Sequence, residues 1–282
     1  MINIEVSHNI YPLKNLGRMG HIHSVFNSSF NILINHQLVH VSSHEDFMSS
    51  FGIRISKLDY QLIRPYLQVG NLVKLTADTL MIYSFNGIYQ TSYKEIVIDL
   101  RIDKIDFTKQ FDKKLNALKN YLEHKSHLSV KNGLGDGAQK ALATLTDVKA
   151  SLLELDQSVK QLIGRGQGLT PSGDDILVTY LFIMIICHDV QRKRVSSCIE
   201  NYLDKTTLIS TSYLKACRNQ AVSTPLYDLY LWLKNHHHCE KNKLERCVSN
   251  IQRIGHTSGS DMLLGLFLGI SFVLQTHSRS LK

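Results

Sequence analysis

The spacing of apolar residues changes once along this chain, near residue 105, and that change limits the folds open to it. Before it the apolar runs are short. Asn31-Ile32-Leu33-Ile34-Asn35 and Leu38-Val39-His40-Val41 flank a brief polar connection, and Leu80 to Phe85 and Ile88 to Gln90 flank Asn86-Gly87, a strong hairpin signal. Glu95 to Ile102 reads as one more strand. Strands joined by hairpins and not by crossover helices predict a mainly antiparallel sheet or small barrel. After residue 105 the period becomes helical. Phe111, Leu115, Leu118 and Leu122 form one series, and Leu142, Leu145, Val148, Leu152, Leu155, Val159 and Leu162 a second. The expected fold class is therefore α+β, with an N-terminal, mainly antiparallel β domain over 1–105 and a mostly α-helical C-terminal domain over 106–282. The loop between the two helical series, Lys131 to Gly137, has three glycines and no specific chemical signal.

Two polar, glycine-rich segments interrupt the helical half, each directly before an apolar run. The first is Gly164-Arg165-Gly166-Gln167-Gly168-Leu169-Thr170-Pro171-Ser172-Gly173-Asp174-Asp175. Its alternate glycines permit a tight turn and close approach to a ligand, and Thr170 or Ser172 is placed to cap the helix that follows. Free N–H groups and the positive dipole end at such a helix start suit a phosphate or carboxylate. The segment lacks the Gly-Lys-Ser/Thr ending of a Walker A loop, and a helix, not a strand, precedes it, so it is no Rossmann fingerprint. The plainer alternative is a helix-to-helix turn with Ser172 as cap and the two aspartates favouring the dipole. The second segment, Gly255-His256-Thr257-Ser258-Gly259-Ser260-Asp261, echoes the first. With one deletion opposite Pro171, Thr170 aligns with Thr257, Ser172 with Ser258, Gly173 with Gly259 and Asp175 with Asp261. Gly265 and Gly269 lie four apart on the second apolar helix, which would let it pack closely beside the first, whose Thr179 is also small. Helices packed with their starts at the same end would bring both segments to one site.

Composition excludes several classes. An apolar share of 43% suits a globular core. The runs Ile176 to Cys187 and Met262 to Leu274 fall short of the roughly 18 apolar residues a membrane span needs, so both read as buried helices. Met1 to Val6 lacks a secretory pattern, which makes the cytoplasm the expected location. Five scattered cysteines without a C-x-x-C pair suggest reduced thiols. The net charge of +8 is dispersed, with Gln191 to Arg194 the only tight basic cluster, and no nucleic-acid motif accompanies it. An anionic metabolite is the better partner for that charge. His236-His237-His238-Cys239 reads as a surface tract, because consecutive residues point in different directions and do not converge on zinc.

The two segments, together with His21-x-His23-Ser24-x-Phe26, resemble the AllH-like family of oxamate carbamoyltransferase subunits, in order over most of the chain. Gln167 and Val178-Thr179 depart from the expected pattern at positions that touch packing more than polar chemistry. The resemblance implies phosphorolysis of oxalurate to oxamate and carbamoyl phosphate in allantoin or purine breakdown, by a complex with further carbamoyltransferase subunits. On that reading His256, Asp175 and Asp261 are the candidate catalytic residues. Arg165, Gly166, Gly168, Thr170, Ser172, Gly173, Asp174, Thr257, Ser258 and Gly259 are candidates to bind the anionic substrate, as are His21, His23 and Ser24 if a strand turns both histidines to one face. Arg165 offers a planar fork to a carboxylate, and His256 could polarise a carbonyl or move a proton. The residues fix no cofactor, although Asp174, Asp175 and Asp261 could hold Mg2+ with phosphate oxygens. The rival readings are a non-catalytic anion-binding or regulatory subunit and a Mg2+-dependent hydrolase or phosphotransferase.

Overall fold

In the computed structural model, the described residues are 1–124, 134, 137–235 and 241–280. Most of the Lys131 to Gly137 loop and all of His236 to Cys239 lie outside them. The chain divides into two compact units, Met1–Arg101 with Ala221–Thr224, and Ile102–Gln220 with Pro225–Lys282.

The first unit contains strands β1 (Ile2–Ser7), β2 (Met19–Val25), β3 (Ser29–Ile34), β4 (Gln37–Ser42), β5 (Gly52–Arg54), β6 (Leu72–Leu75), β7 (Thr79–Ser84) and β8 (Gly87–Ile98), with helix α1 (Lys57–Ile63) between β5 and β6. They close into a barrel in the order β1-β5-β4-β3-β2-β6-β7-β8. The sheet is mixed, which corrects the expectation of a mainly antiparallel one: β4 pairs with β5, and β1 with β8, in parallel. Periodicity identifies hairpin neighbours, but closing a barrel also joins strands far apart in sequence. The β1–β8 seam aligns Ile2 with Tyr93, and no local signal reports its direction. The connection over residues 43–51 returns β5 alongside β4 in the same sense.

Two further strand readings change. Ile88 to Gln90 and the start of Glu95 to Ile102 are parts of the single strand β8, which ends at Ile98. Asn86-Gly87 does not supply a turn with two positive φ values. Only Gly87 is positive (φ 106°), as in a type I turn closed by a glycine bulge. The turn with both central residues left-handed is Asn35-His36, between β3 and β4 (φ 46° and 63°). Inside the barrel, side chains including Ile4, Ile32, Val41, Ile53 and Leu80 leave a void of about 20 Å3, so the interior is a packed core and not a ligand cavity. Ala221–Thr224 completes this unit: Val222 N donates to Leu100 O (3.2 Å), and Met48 N to Thr224 Oγ1 (2.9 Å).

The second unit is built on α2 (Lys109–His124), α3 (Ala138–Thr146), α4 (Leu152–Leu162), α5 (Ser172–Cys187), α6 (Asp189–Glu200), α7 (Leu208–Arg218), α8 (Thr224–Lys234), α9 (Lys241–Gln252) and α10 (Ser258–Ser280). The second helical series is two helices, not one. Ser151 accepts from Glu154 N, while the Glu154 carboxylate accepts from Ser151 N, a capping box that starts α4 afresh and leaves Leu152 exposed. Helix α5 is buried on every side, as its uniformly apolar sequence demands. Helix α10 is longer than its apolar run and by length and composition could cross a membrane, but 72% of that stretch is buried within the protein, as in a core helix.

Helices α5 and α10 are parallel neighbours. A Cβ on Gly265 would lie 2.1 Å from Thr179 Oγ1 and 2.3 Å from Ile176 O, and one on Gly269 would lie 2.8 Å from the Ile183 Cβ. The contacts advance along both helices in the same sense. Thr179 hooks them together, its hydroxyl 2.8 Å from Met262 O.

Candidate functional site

The parallel pairing places the starts of α5 and α10 side by side. Thr170 Oγ1 and Ser258 Oγ are 2.9 Å apart although 88 positions separate them. Asp175, from the first turn of α5, lies against both hydroxyls and within the field of Asp261, from the first turn of α10. Asp175 is 9% exposed and Asp261 1%. Thr170, Asp175, Ser258 and Asp261 thus form one polar cluster, its carboxylates buried and its two hydroxyls half-buried above them.

The electrostatics of that cluster are adverse. Burial pushes the Asp175 carboxyl well above the usual carboxylate range, and the charges of Asp261 and Asp174 push it further; the Ser258 and Thr170 hydroxyls act in the opposite direction. Tyr213, half-buried on α7, faces the same carboxylate. Burial and the Asp175 charge both raise its phenol. Nothing in the sequence marks Tyr213, which reaches the cluster only because α7 packs on α5.

The helix starts do not present the row of free N–H groups expected of them. Gly173 N donates to Arg165 O (2.9 Å), and Asp174 N and Asp175 N to Pro171 O. On α10, Gly259 N donates to Ile254 O, while Ser260 N and Asp261 N donate to Thr257 O. Backbone carbonyls of the preceding loops therefore cap both helices. Pro171, not Thr170 or Ser172, is the cap residue of α5, and no side chain assists it. This releases the Thr170 hydroxyl to reach Ser258.

Gly173 and Gly259 do not line a concavity either. A Cβ on Gly173 would lie 1.9 Å from Leu162 O, and one on Gly259 2.4 Å from Gln252 O, so each seats its helix start on the last residue of the helix before it. The aligned positions of the two segments share one packing device. Ser172 is buried in the same start.

Asp174 turns into the scaffold. Its Oδ1 accepts from Gly164 N (2.8 Å), and its Oδ2 from the Thr206 hydroxyl, with the Ser210 hydroxyl also favouring the charged form against the burial that raises its pKa. Thr207 caps α7 and donates to Leu169 O (2.5 Å). Thr206-Thr207 thereby braces the glycine-rich loop; only its helix-start character is legible in sequence. Asp174→Ala should cost about 2–4 kcal/mol in chemical unfolding, because several donors lose a buried acceptor. Unchanged stability with loss of ligand binding would instead make Asp174 a ligand.

The remaining candidates are more dispersed. Arg165 is half-buried, and its Nε donates to Leu134 O, which commits part of its fork to the fold. Gly166 and Gly168 take positive φ values (127° and 89°); Gly166 is half-buried, a Cβ there lying 2.5 Å from Ser172 N, while Gly168 is exposed, as are His256 and Thr257 at the start of α10. His21, His23 and Ser24 lie on β2 of the barrel unit. A bulge between Ile22 and Ser24 breaks the alternation that would have set both histidines on one face. His23 Nδ1 is 3.2 Å from Ser24 Oγ, which accepts from Asn31 Nδ2 (2.8 Å), and Asn31 Oδ1 in turn accepts from His40 Nδ1 (2.8 Å). Ser24 and His23 are parts of a polar chain running across the barrel sheet.

A family model described as oxamate carbamoyltransferase subunit AllH matches residues 162–270. That stretch runs from the last residue of α4 into α10 and holds every member of the cluster, Tyr213 included. The barrel strands and their histidines lie outside it. No solved structure matches the chain.

Proposed function

Because the chain is AllH-like over residues 162–270, we propose that it is a subunit of an oxamate carbamoyltransferase-like enzyme, which converts oxalurate and phosphate to oxamate and carbamoyl phosphate, and that the paired starts of α5 and α10 are its working end. In that reaction a phosphate oxygen attacks the ureido carbonyl, the carbonyl–nitrogen bond breaks, and the departing oxamate nitrogen takes up a proton while phosphate gives one up. Groups fixed before the reaction are worth most here, since they need not reorganise as charge develops on the transferring carbon. Thr170 and Ser258 supply hydroxyls held by each other and by two packed helices. His256 and Thr257, exposed at the rim, are the side chains that an incoming anion meets first, with His256 the candidate to carry the proton.

The observation that carries this reading is the 2.9 Å contact between Thr170 and Ser258, which unites the two segments of the family match beside Asp175 and Asp261. The test is phosphate-dependent formation of carbamoyl phosphate from oxalurate by the chain with its companion subunits, compared for the parent and Ser258→Ala. The expected outcome is a fall in kcat/KM of ten- to a thousandfold, the scale for losing a preorganised donor. Full activity in the variant removes the cluster from the chemistry. The supporting-subunit reading has one observation in its favour, the near-complete burial of Asp175 and Asp261. Turnover by the chain alone would exclude it.

A further inference from the structure

We infer that the cleft between α6 and the end of α7 is a binding site for a small phosphorylated anion, a phosphate monoester dianion held by Arg192, Lys193 and Arg218. The cleft is separate from the proposed catalytic cluster, since none of its lining residues belongs to the starts of α5 and α10. It does not depend on carbamoyl transfer.

Helices α6 and α7 both pack against α5 and leave an open cleft of about 590 Å3 beside them. Its wall combines Arg192, Lys193, Ser196, Ser197 and Glu200 of α6 with Arg218 of α7, all within the helical unit. Residues three to four apart share a helix face, so the α6 members look the same way. Small-molecule sites of this volume are lined mostly by apolar groups. Here every lining side chain is polar or charged, which suits a strongly hydrated, multiply charged ligand. Three cations stand against one carboxylate, an excess of two positive charges that a phosphate dianion balances.

Helix stability does not account for these charges. Arg192 and Lys193 lie near the start of α6, where the dipole disfavours cations, and Glu200 is its last residue, where the dipole disfavours an acid. Their neighbour Arg194 is structural, its guanidinium donating to Gln191 Oε1 (3.0 Å) and Ala150 O (2.7 Å). Arg192 is positioned and only partly engaged. Its Nη2 donates to Gln220 Oε1 (3.1 Å), and Gln220, in a left-handed conformation (φ 63°), is fixed in turn by its Nε2 donating to Ile102 O (3.0 Å). The remaining donors of that planar fork suit phosphate oxygens. Arg218 pairs with Glu200, yet its Nε is buried and has no hydrogen-bond partner among the described residues. A buried donor left unmet is costly. A phosphate oxygen beside the guanidinium would satisfy it, with the Ser196 and Ser197 hydroxyls as further donors on the same wall.

The test is calorimetric titration of the full chain with phenyl phosphate, at an ionic strength held constant with NaCl. A saturable event is expected, weakened about tenfold or more in Arg192→Gln and in Lys193→Glu, the scale of a lost charge-assisted hydrogen bond. Lys193 is exposed, so Lys193→Glu should keep the parent's melting temperature and remains informative if Arg192→Gln unfolds. Ser258→Ala, at the proposed catalytic cluster, should bind phenyl phosphate as the parent does. No uptake by the parent, or equal uptake by Lys193→Glu, overturns the site. Uptake lost in Ser258→Ala and kept in both charge variants would put the anion at the catalytic cluster and overturn the cleft. Short single-stranded DNA that displaces phenyl phosphate and binds far more tightly would mean that the cleft reads a nucleic-acid backbone, which also overturns the small-ligand assignment. Because no arm contains oxalurate, carbamoyl transfer stands or falls by its own assay.

Discussion

Gly265→Ala should destabilise the helical unit by about 3 kcal/mol, against the sign that helix propensity alone would give. Alanine is favoured over glycine inside a helix by about 1 kcal/mol. The added methyl group, however, would sit 2.1 Å from Thr179 Oγ1 and 2.3 Å from Ile176 O. The second of these is backbone and can give way only if α5 and α10 move apart, and overpacking of this kind costs typically 1–3 kcal/mol or more. Gly269→Ala is the graded control, since its new Cβ would meet the Ile183 side chain at 2.8 Å. A side chain repacks more readily than a carbonyl, so a cost of about 1 kcal/mol is expected there. Urea unfolding of both variants measures the pair. Equal or increased stability for Gly265→Ala would mean that the helices do not pack in this register, and the joining of the two polar segments would fall with it.

The second large effect is a loss of barrel stability in mild acid. Burial and the nearby His44 hold the His40 imidazole down to about 4 from its usual 6.5, and its Nδ1–H is committed to Asn31 Oδ1 (2.8 Å). Between those two values the unfolded chain binds a proton that the folded barrel refuses, so stability is full above pH 6.5 and declines as pH falls toward 4. At 1.36 kcal/mol per pH unit the loss reaches up to about 3 kcal/mol. Amide exchange in β3 and β4, followed from pH 7 to pH 4, should show protection falling in the parent and a much flatter profile in His40→Leu. A parent profile as flat as the variant's would mean that His40 is protonated at no cost in the fold. The helical unit contains a term of the opposite sign. The Asp175 carboxyl is raised, so its contribution improves as the pH falls through its folded value toward the ordinary carboxylate range.

The sequence by itself determined the change from strands to helices, the burial of α5 and α10, and the pairing of their glycine-rich starts, because each rests on local information. An apolar stripe of period 3.6 or 2 states which face is buried. Two glycines four apart on α10 state where a backbone can come close, and on α5 Thr179 proved to be the small partner of Gly265, while Gly269 makes room for Ile183. What those starts do with their polar groups was decided only by tertiary structure. Whether Gly173 N is free depends on which carbonyl the preceding loop folds back, and Arg165 O is delivered by the path of the loop, not by any motif. The same holds for Asp174 and Asp175, which are adjacent in sequence and chemically identical. Successive helical positions point about 100° apart, so one carboxylate is taken by Gly164 and Thr206 and the other meets Ser258 and Asp261. Tyr213 and the β1–β8 seam belong to the same category. They are contacts between residues distant in the chain, and a side chain's neighbours there are set by packing that no window of sequence contains.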